Sequence, residues 1–210
     1  MTARTPSPTA WAYPESVGDE GLSGVSVLIR LWEQSGRRLR ERCRGLTDEE
    51  FFWEPVADCW NIRPDEQHVG GWSYEYEFAP ADPAPLTTIG WRLVHLNAGN
   101  RLYWNHAFGD ATLTFPDLVV PHTAEAALAE WRESRIPITA WLADASDGDL
   151  AEPRPSHLPE RRMSAGDQVR TLVEEQIHHG AEIALLRDLF ARPHEDYHAP
   201  RPLHTDSSAV

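Results

Sequence analysis

Ser164–Ala191, SAGDQVRTLVEEQIHHGAEIALLRDLFA, is the stretch that decides the fold. Leu172, Gln176, His179, Ile183, Leu186 and Phe190 recur in alternating steps of four and three. That is the spacing of a helix stripe turned towards the inside of a bundle. Ser164 and Asp167 form an S-x-x-D start signal, and Pro193 forbids continuation past Ala191. The spacing predicts a helix over 165–191, about 40 Å long at 1.5 Å per residue. Most of the stability of such a helix comes from burying its apolar face on partners.

Partners are legible upstream. Val25, Leu28, Ile29, Leu31, Trp32 and Leu39 give a first helix over about 22–44, closed by Gly45. Thr47-Asp48-Glu49-Glu50 has the form of a capping box and opens a short helical turn that ends at Pro55. Ile89, Leu93, Leu96 and Tyr103 predict a second long helix over 86–108, with Gly109 beyond it. Thr123 caps a third, which runs to about Ala145 with Leu128, Trp131 and Leu142 facing inward and Pro137 expected to kink it. Four long helices make an all-α four-helix bundle the natural architecture.

Between the first and second long helices lies an irregular insertion rich in Pro, Gly and Trp from Val56 to Pro85. The alternation in Trp72-Ser73-Tyr74-Glu75-Tyr76-Glu77-Phe78 suits a short strand there. Its length and aromatic content predict a packed lid, and Trp60 and Trp72 are the residues expected to bind substrate. Residues 1–21 read as a flexible arm, 22–192 as the bundle and 193–210 as a flexible tail whose His194, His198 and His204 are expected to be solvated.

Composition narrows the function. The formal charge is −14, which disfavours nucleic-acid binding. Arg37, Arg38, Arg40, Arg42 and Arg44 form the only basic run and read as a solvated helix face. All nineteen Lys-plus-Arg residues are arginine, so Schiff-base chemistry and a Walker-type phosphate lysine are excluded. No apolar run approaches a membrane span, and the N-terminus lacks a secretory pattern, so a cytoplasmic location is expected. Cys43 and Cys59 are unpatterned and read as reduced; Cys59 is more readily a buried cysteine than a nucleophile. Gly21-Leu22-Ser23-Gly24 lacks the spacing of a nucleophile elbow.

Glu175 and His179 stand one helical turn apart on the inward stripe, able to converge on one ion, while His178 and Glu182 form a second such pair rotated by about 100°. On the second long helix His95 lies among Trp91, Val94 and Leu96. Alone it reads as a core histidine; facing Glu175 and His179 it reads as a third ligand. Two imidazoles and a carboxylate suit zinc, nickel, iron or manganese, with positions left for water or substrate.

These residues carry a resemblance. Leu31-Trp32-Glu33, Leu46-Thr47-Asp48-Glu49-Glu50 with Trp60 after it, Val94-His95-Leu96, and His178-His179-Gly180-Ala181-Glu182-Ile183 resemble the DinB-like superfamily in order and spacing, over about residues 22–191. The resemblance implies a bundle with an up-up-down-down path, a homodimer, and a divalent metal on one histidine from the second helix and an H-x-x-x-H pair from the fourth. His95 and His179 match; Glu175 stands where the family places histidine. It further implies relatives such as mycothiol- or bacillithiol-dependent transferases and maleylpyruvate isomerase, in which metal activates a small thiol. Three functions stay open at this point. One is a metal-dependent enzyme that turns a thiol or water on a small-molecule electrophile; another is a metal-free bundle that binds a small molecule or a partner; the third is a stress-related dimer with no cavity chemistry.

Overall fold

The computed structural model describes residues 22–77, 79–80, 82–158 and 162–192; the expected arm and tail, with His194, His198 and His204, lie outside them. Four long helices dominate: α1 (Gly24–Arg42), α3 (Ile89–Phe108), α4 (Ala124–Asp144) and α6 (Ala165–Phe190), with short helices α2 (Asp48–Phe52) and α5 (Asp147–Ala151) between them. Their starts are set by local chemistry. Ser23, Thr88, Thr123 and Ser164 each accept a hydrogen bond from the backbone N–H three residues on. Thr47 and Glu50 complete the expected capping box. α3 begins at Ile89 rather than Leu86, because Thr88 takes the cap. α4 continues through Pro137 to Asp144.

Side-chain contacts fix the helix directions. Gln176 on α6 donates to Ser35 Oγ on α1 at 2.5 Å, and Arg42 further along α1 donates to Ala184 O at 2.7 Å, so α1 and α6 run parallel. Asn97 Nδ2 donates to Ala127 O at 3.1 Å and Asn100 Nδ2 to Ser134 Oγ at 3.0 Å, so α3 and α4 are parallel too. Trp32 Nε1 donates to Thr139 Oγ1 while Gly36, further along α1, lies against Arg135, earlier on α4, and Arg92 meets Glu182 while His95 meets Glu175; α1–α4 and α3–α6 are therefore antiparallel. The path is up-down-down-up, which corrects the expected up-up-down-down. The reason lies in the connections. Residues 109–123 are long enough, at about 3.3 Å each, to climb back along a helix of about 30 Å and start α4 beside the start of α3. Asp48 Oδ1 receives the N–H of Ala124 there at 2.7 Å.

Two apolar clusters fill the bundle. One holds Leu39, Phe51, Ile62, Ile89, Leu93, Trp131 and Ile183; the other holds Trp32, Ile138, Leu142, Val169, Leu172 and Val173. Burying each large side chain contributes about 1.5–3 kcal/mol. A polar layer of Ser35, Asn97, Asn100, Ser134, Arg135 and Gln176 crosses the bundle between them, all buried.

The insertion between α1 and α3 carries a small hairpin. Strand β1 (Ile62–Pro64) pairs antiparallel with β2 (Trp72–Tyr74), in the place where the alternation predicted a strand. Gly70 and Gly71, with φ of 82° and 76°, supply the left-handed turn before β2. Asn61 ties the insertion down: its side chain donates to Phe52 O and accepts from Ile62 N and Thr88 Oγ1. A second small hairpin, β3 (Pro153–Arg154) with β4 (Met163–Ser164), precedes α6. Among the described residues no helix is long and apolar enough to cross a membrane.

Candidate metal centre and its cavity

α3 and α6 cross where His95, Glu175 and His179 meet, and one donor atom from each lies within 4.8 Å of the others. Glu175 Oε2 is 3.3 Å from His95 Nε2 and 3.2 Å from His179 Nε2. The two imidazole rings stand edge to face with centroids 5.0 Å apart. Trp91 stacks on His95 at 4.9 Å and 9°, holding the ring flat. The structure thus brings together all three residues singled out as ligands.

His179 is the most constrained of the three. It is buried, and its Nδ1 lies 2.7 Å from Glu182 Oε2 while its Nε2 faces Glu175. Arg92, also buried, pairs with the same Glu182 oxygen. A neutral imidazole has one N–H and can donate to only one of two carboxylates. Burial pushes His179 away from the doubly protonated form, since desolvation lowers its pKa. A cation on the Nε2 side would resolve this: Nδ1–H would then donate to Glu182, and Nε2 would be left, with Glu175 and His95 Nε2, to hold the ion. The carboxylate–imidazole arrangement behind a ligand is the usual support of metal-bound histidine. The residues therefore fit a divalent metal. Glu175 is held well below the usual carboxylate range by hydrogen bonds from His179 and then His95, so it is ionised at neutral pH.

A second grouping, His178, His179 and Glu182, also clusters. His178 is exposed and Glu182 is committed to Arg92, so this grouping lacks the enclosure of the first. Burial pushes Cys43 up to about 12 and also raises Cys59; both are free thiols outside the cavity. Neither supplies a thiolate at neutral pH.

His95 and Glu175 open onto a cavity of about 650 Å³, within the size range of small-molecule sites. Its walls are largely apolar and aromatic: Leu96, Leu102, Tyr103, Leu113, Phe115 and Leu172 among them. Trp60 and Trp72 do not line it. Trp60 is held in a backbone bridge to Thr87 and packs on Tyr76 and Trp91, one ring removed from His95. Trp72 stacks on His122 at 4.8 Å and packs near Phe52. The insertion residue that does reach the cavity is Tyr76. Arg92, His106 and His157 were not expected as site residues. Arg92, His95, Gly99 and His106 follow helical steps along α3, a signal that was available; His157 comes from the hairpin loop and carries none.

A DinB-like protein from Bacillus cereus, known from its crystal structure, superposes with a TM-score of 0.47 at 18% identity, covering 78% of this chain and 90% of its own. No curated protein matches. The sequence profile of the DinB superfamily matches residues 31–183, from the first long helix into the last. The chain belongs to the DinB superfamily.

Proposed function

We propose that this protein is a divalent-metal-dependent enzyme that directs a low-molecular-weight thiol, of the mycothiol type, at a small electrophile. His95, Glu175 and His179 would hold the ion. The observation that carries this reading is the convergence of these three donors at the wall of a substrate-sized cavity, with His179 set between two carboxylates. Zinc, nickel, iron or manganese at that position would lower the pKa of a bound thiol and make it nucleophilic at neutral pH. The chain's own residues do the rest. Glu182, braced by Arg92, keeps the His179 proton on Nδ1 and fixes the ring. Trp91 fixes the ring of His95. The apolar walls exclude water from the electrophile. Since Cys43 and Cys59 lie elsewhere and are held protonated, the sulfur has to come from a small thiol. That sulfur forms the new C–S bond with its electron pair, the leaving group departs with the bonding pair it held, and the thiol proton goes to solvent.

A second reading has one observation in its favour: Glu175 lies within 3.3 Å of both imidazoles, so the cluster also closes on itself in a metal-free binding protein. Turnover separates the two. Metal-loaded protein is mixed with mycothiol, bacillithiol, glutathione or cysteine and with 1-chloro-2,4-dinitrobenzene. The enzyme reading expects metal-dependent conjugation above background with at least one thiol, lost in His179→Ala. A metal-loaded protein inert with all four would leave the binding reading.

A further inference from the structure

The cavity has a second polar end. His95 and His106 both line it, and eleven residues of α3 separate them, about 16 Å along the axis. Beside His106 lies His157, from the loop of the β3–β4 hairpin, with ring centroids 6.1 Å apart. Tyr103 packs edge-on against His157 at 4.3 Å. Leu96, Leu102, Leu113 and Leu172 line the same cavity.

Hydrogen-bond partners settle what these histidines offer. His106 Nε2 lies 2.9 Å from the carbonyl oxygen of Leu113. A carbonyl only accepts, so Nε2 carries the proton and the neutral ring keeps a lone pair on Nδ1. His157 is pushed down to about 4, by burial first and by the nearby His106 second, and so is neutral at pH 7. Its Nδ1 is buried and has no hydrogen-bond partner among the described residues, a rare state for a buried polar atom. Among the described residues no arginine lines the cavity, so away from the His95–Glu175–His179 end none of them balances an anionic group.

We propose that His106 and His157 form a second subsite that accepts a hydrogen bond from a hydroxyl group on the far end of an apolar, preferably aromatic, substrate. They are positioning residues that select the substrate and do not touch the reacting atoms. This deepens the proposed function and rests on the cavity being its substrate site, but it does not require the metal.

The test uses the full chain without a tag at pH 7.5 and three probes of one shape: 2-naphthol, 2-methylnaphthalene and 2-naphthoate. Binding is followed by tryptophan quenching in the absence of metal, and zinc binding is titrated separately. The expected result is 2-naphthol binding about 5- to 10-fold more tightly than either of the others, the worth of one neutral hydrogen bond. His157→Phe should erase that preference while still binding 2-methylnaphthalene, which shows that the cavity is intact. His157→Asn should retain part of it. The proposal is overturned if 2-naphthoate binds best, if the preference persists in His157→Phe, or if no probe binds. Loss of zinc binding with the naphthol preference intact would remove the metal reading and leave this subsite standing.

Discussion

Glu175 and Gln176 are neighbours on α6, yet each opens onto a polar region built on a different plan. Gln176 faces α1 and α4, where its side chain meets Ser35, the carbonyl of Trp32 and the guanidinium of Arg135. Arg135 lies 3.8 Å over the ring of Trp32 and 5.0 Å from that of Trp131, and it also donates to Trp32 O. This charge is enclosed and its donors are spent inside the bundle. Burial pushes it down to about 10, so it remains charged at neutral pH. Glu175 faces α3 instead, where its imidazole partners leave an edge open to the cavity and His95 Nδ1 is buried without a partner among the described residues. A polar cluster that satisfies itself holds a fold together; one that leaves donor atoms converging on a shared position is arranged for something that binds there.

This contrast predicts opposite responses to mutation. Arg135→Ala should cost the most stability, about 2–5 kcal/mol in urea unfolding, because it leaves the Gln176 side-chain oxygen without its donor and a cavity beside Trp32 and Trp131. Metal bound per folded molecule should stay unchanged. Gly36→Ala tests the same enclosure from the other side. An added Cβ would lie 2.5 Å from Arg135 Nη2, so a loss of about 1–3 kcal/mol is expected, again without effect on the metal. Glu182→Gln should reverse the pattern. It weakens the support behind His179, lowering zinc affinity per folded molecule about 10- to 100-fold in a competition titration. It also takes the carboxylate from the buried Arg92, so some stability is lost alongside the metal.

The smallest effect concerns pH at the cavity's far end. His157 is held at about 4 in the folded protein against 6.5 ordinarily, so the unfolded chain binds the proton more readily. Stability is therefore unaffected above pH 6.5 and falls as pH drops from 6.5 towards 4. Burial is the larger cause and the nearby His106 the smaller. His157→Phe should flatten the acid limb of a melting-temperature profile by a few degrees relative to wild type. An unchanged limb would show that burial does not hold His157 neutral.

Much of this was readable in advance because it rests on local rules. A cap joins a side chain to an N–H three residues on, so Thr47, Thr123 and Ser164 announced their helices. His179 and Glu175 were visible as a pair because one helical turn brings them together. The helix path was not readable, since it depends on which ends the 109–123 connection spans, and no residue pattern encodes that. The placement of the tryptophans was not readable for a related reason. Trp60 and Trp72 sit in a segment rich in aromatic residues, but which rings pair across the hairpin and which face the cavity is decided by tertiary packing. His157 enters the cavity from a loop with no periodicity to mark it.

The most direct measurement of the central claim is metal content. Wild-type protein, Glu175→Ala and His179→Ala are purified without a histidine tag, offered zinc, nickel, iron and manganese, dialysed, and assayed by inductively coupled plasma mass spectrometry. The account predicts close to one ion per wild-type chain with at least one of these metals and a small fraction of that in both variants, with all three proteins folded. Sub-stoichiometric metal in the wild type, or equal metal in all three, would contradict it.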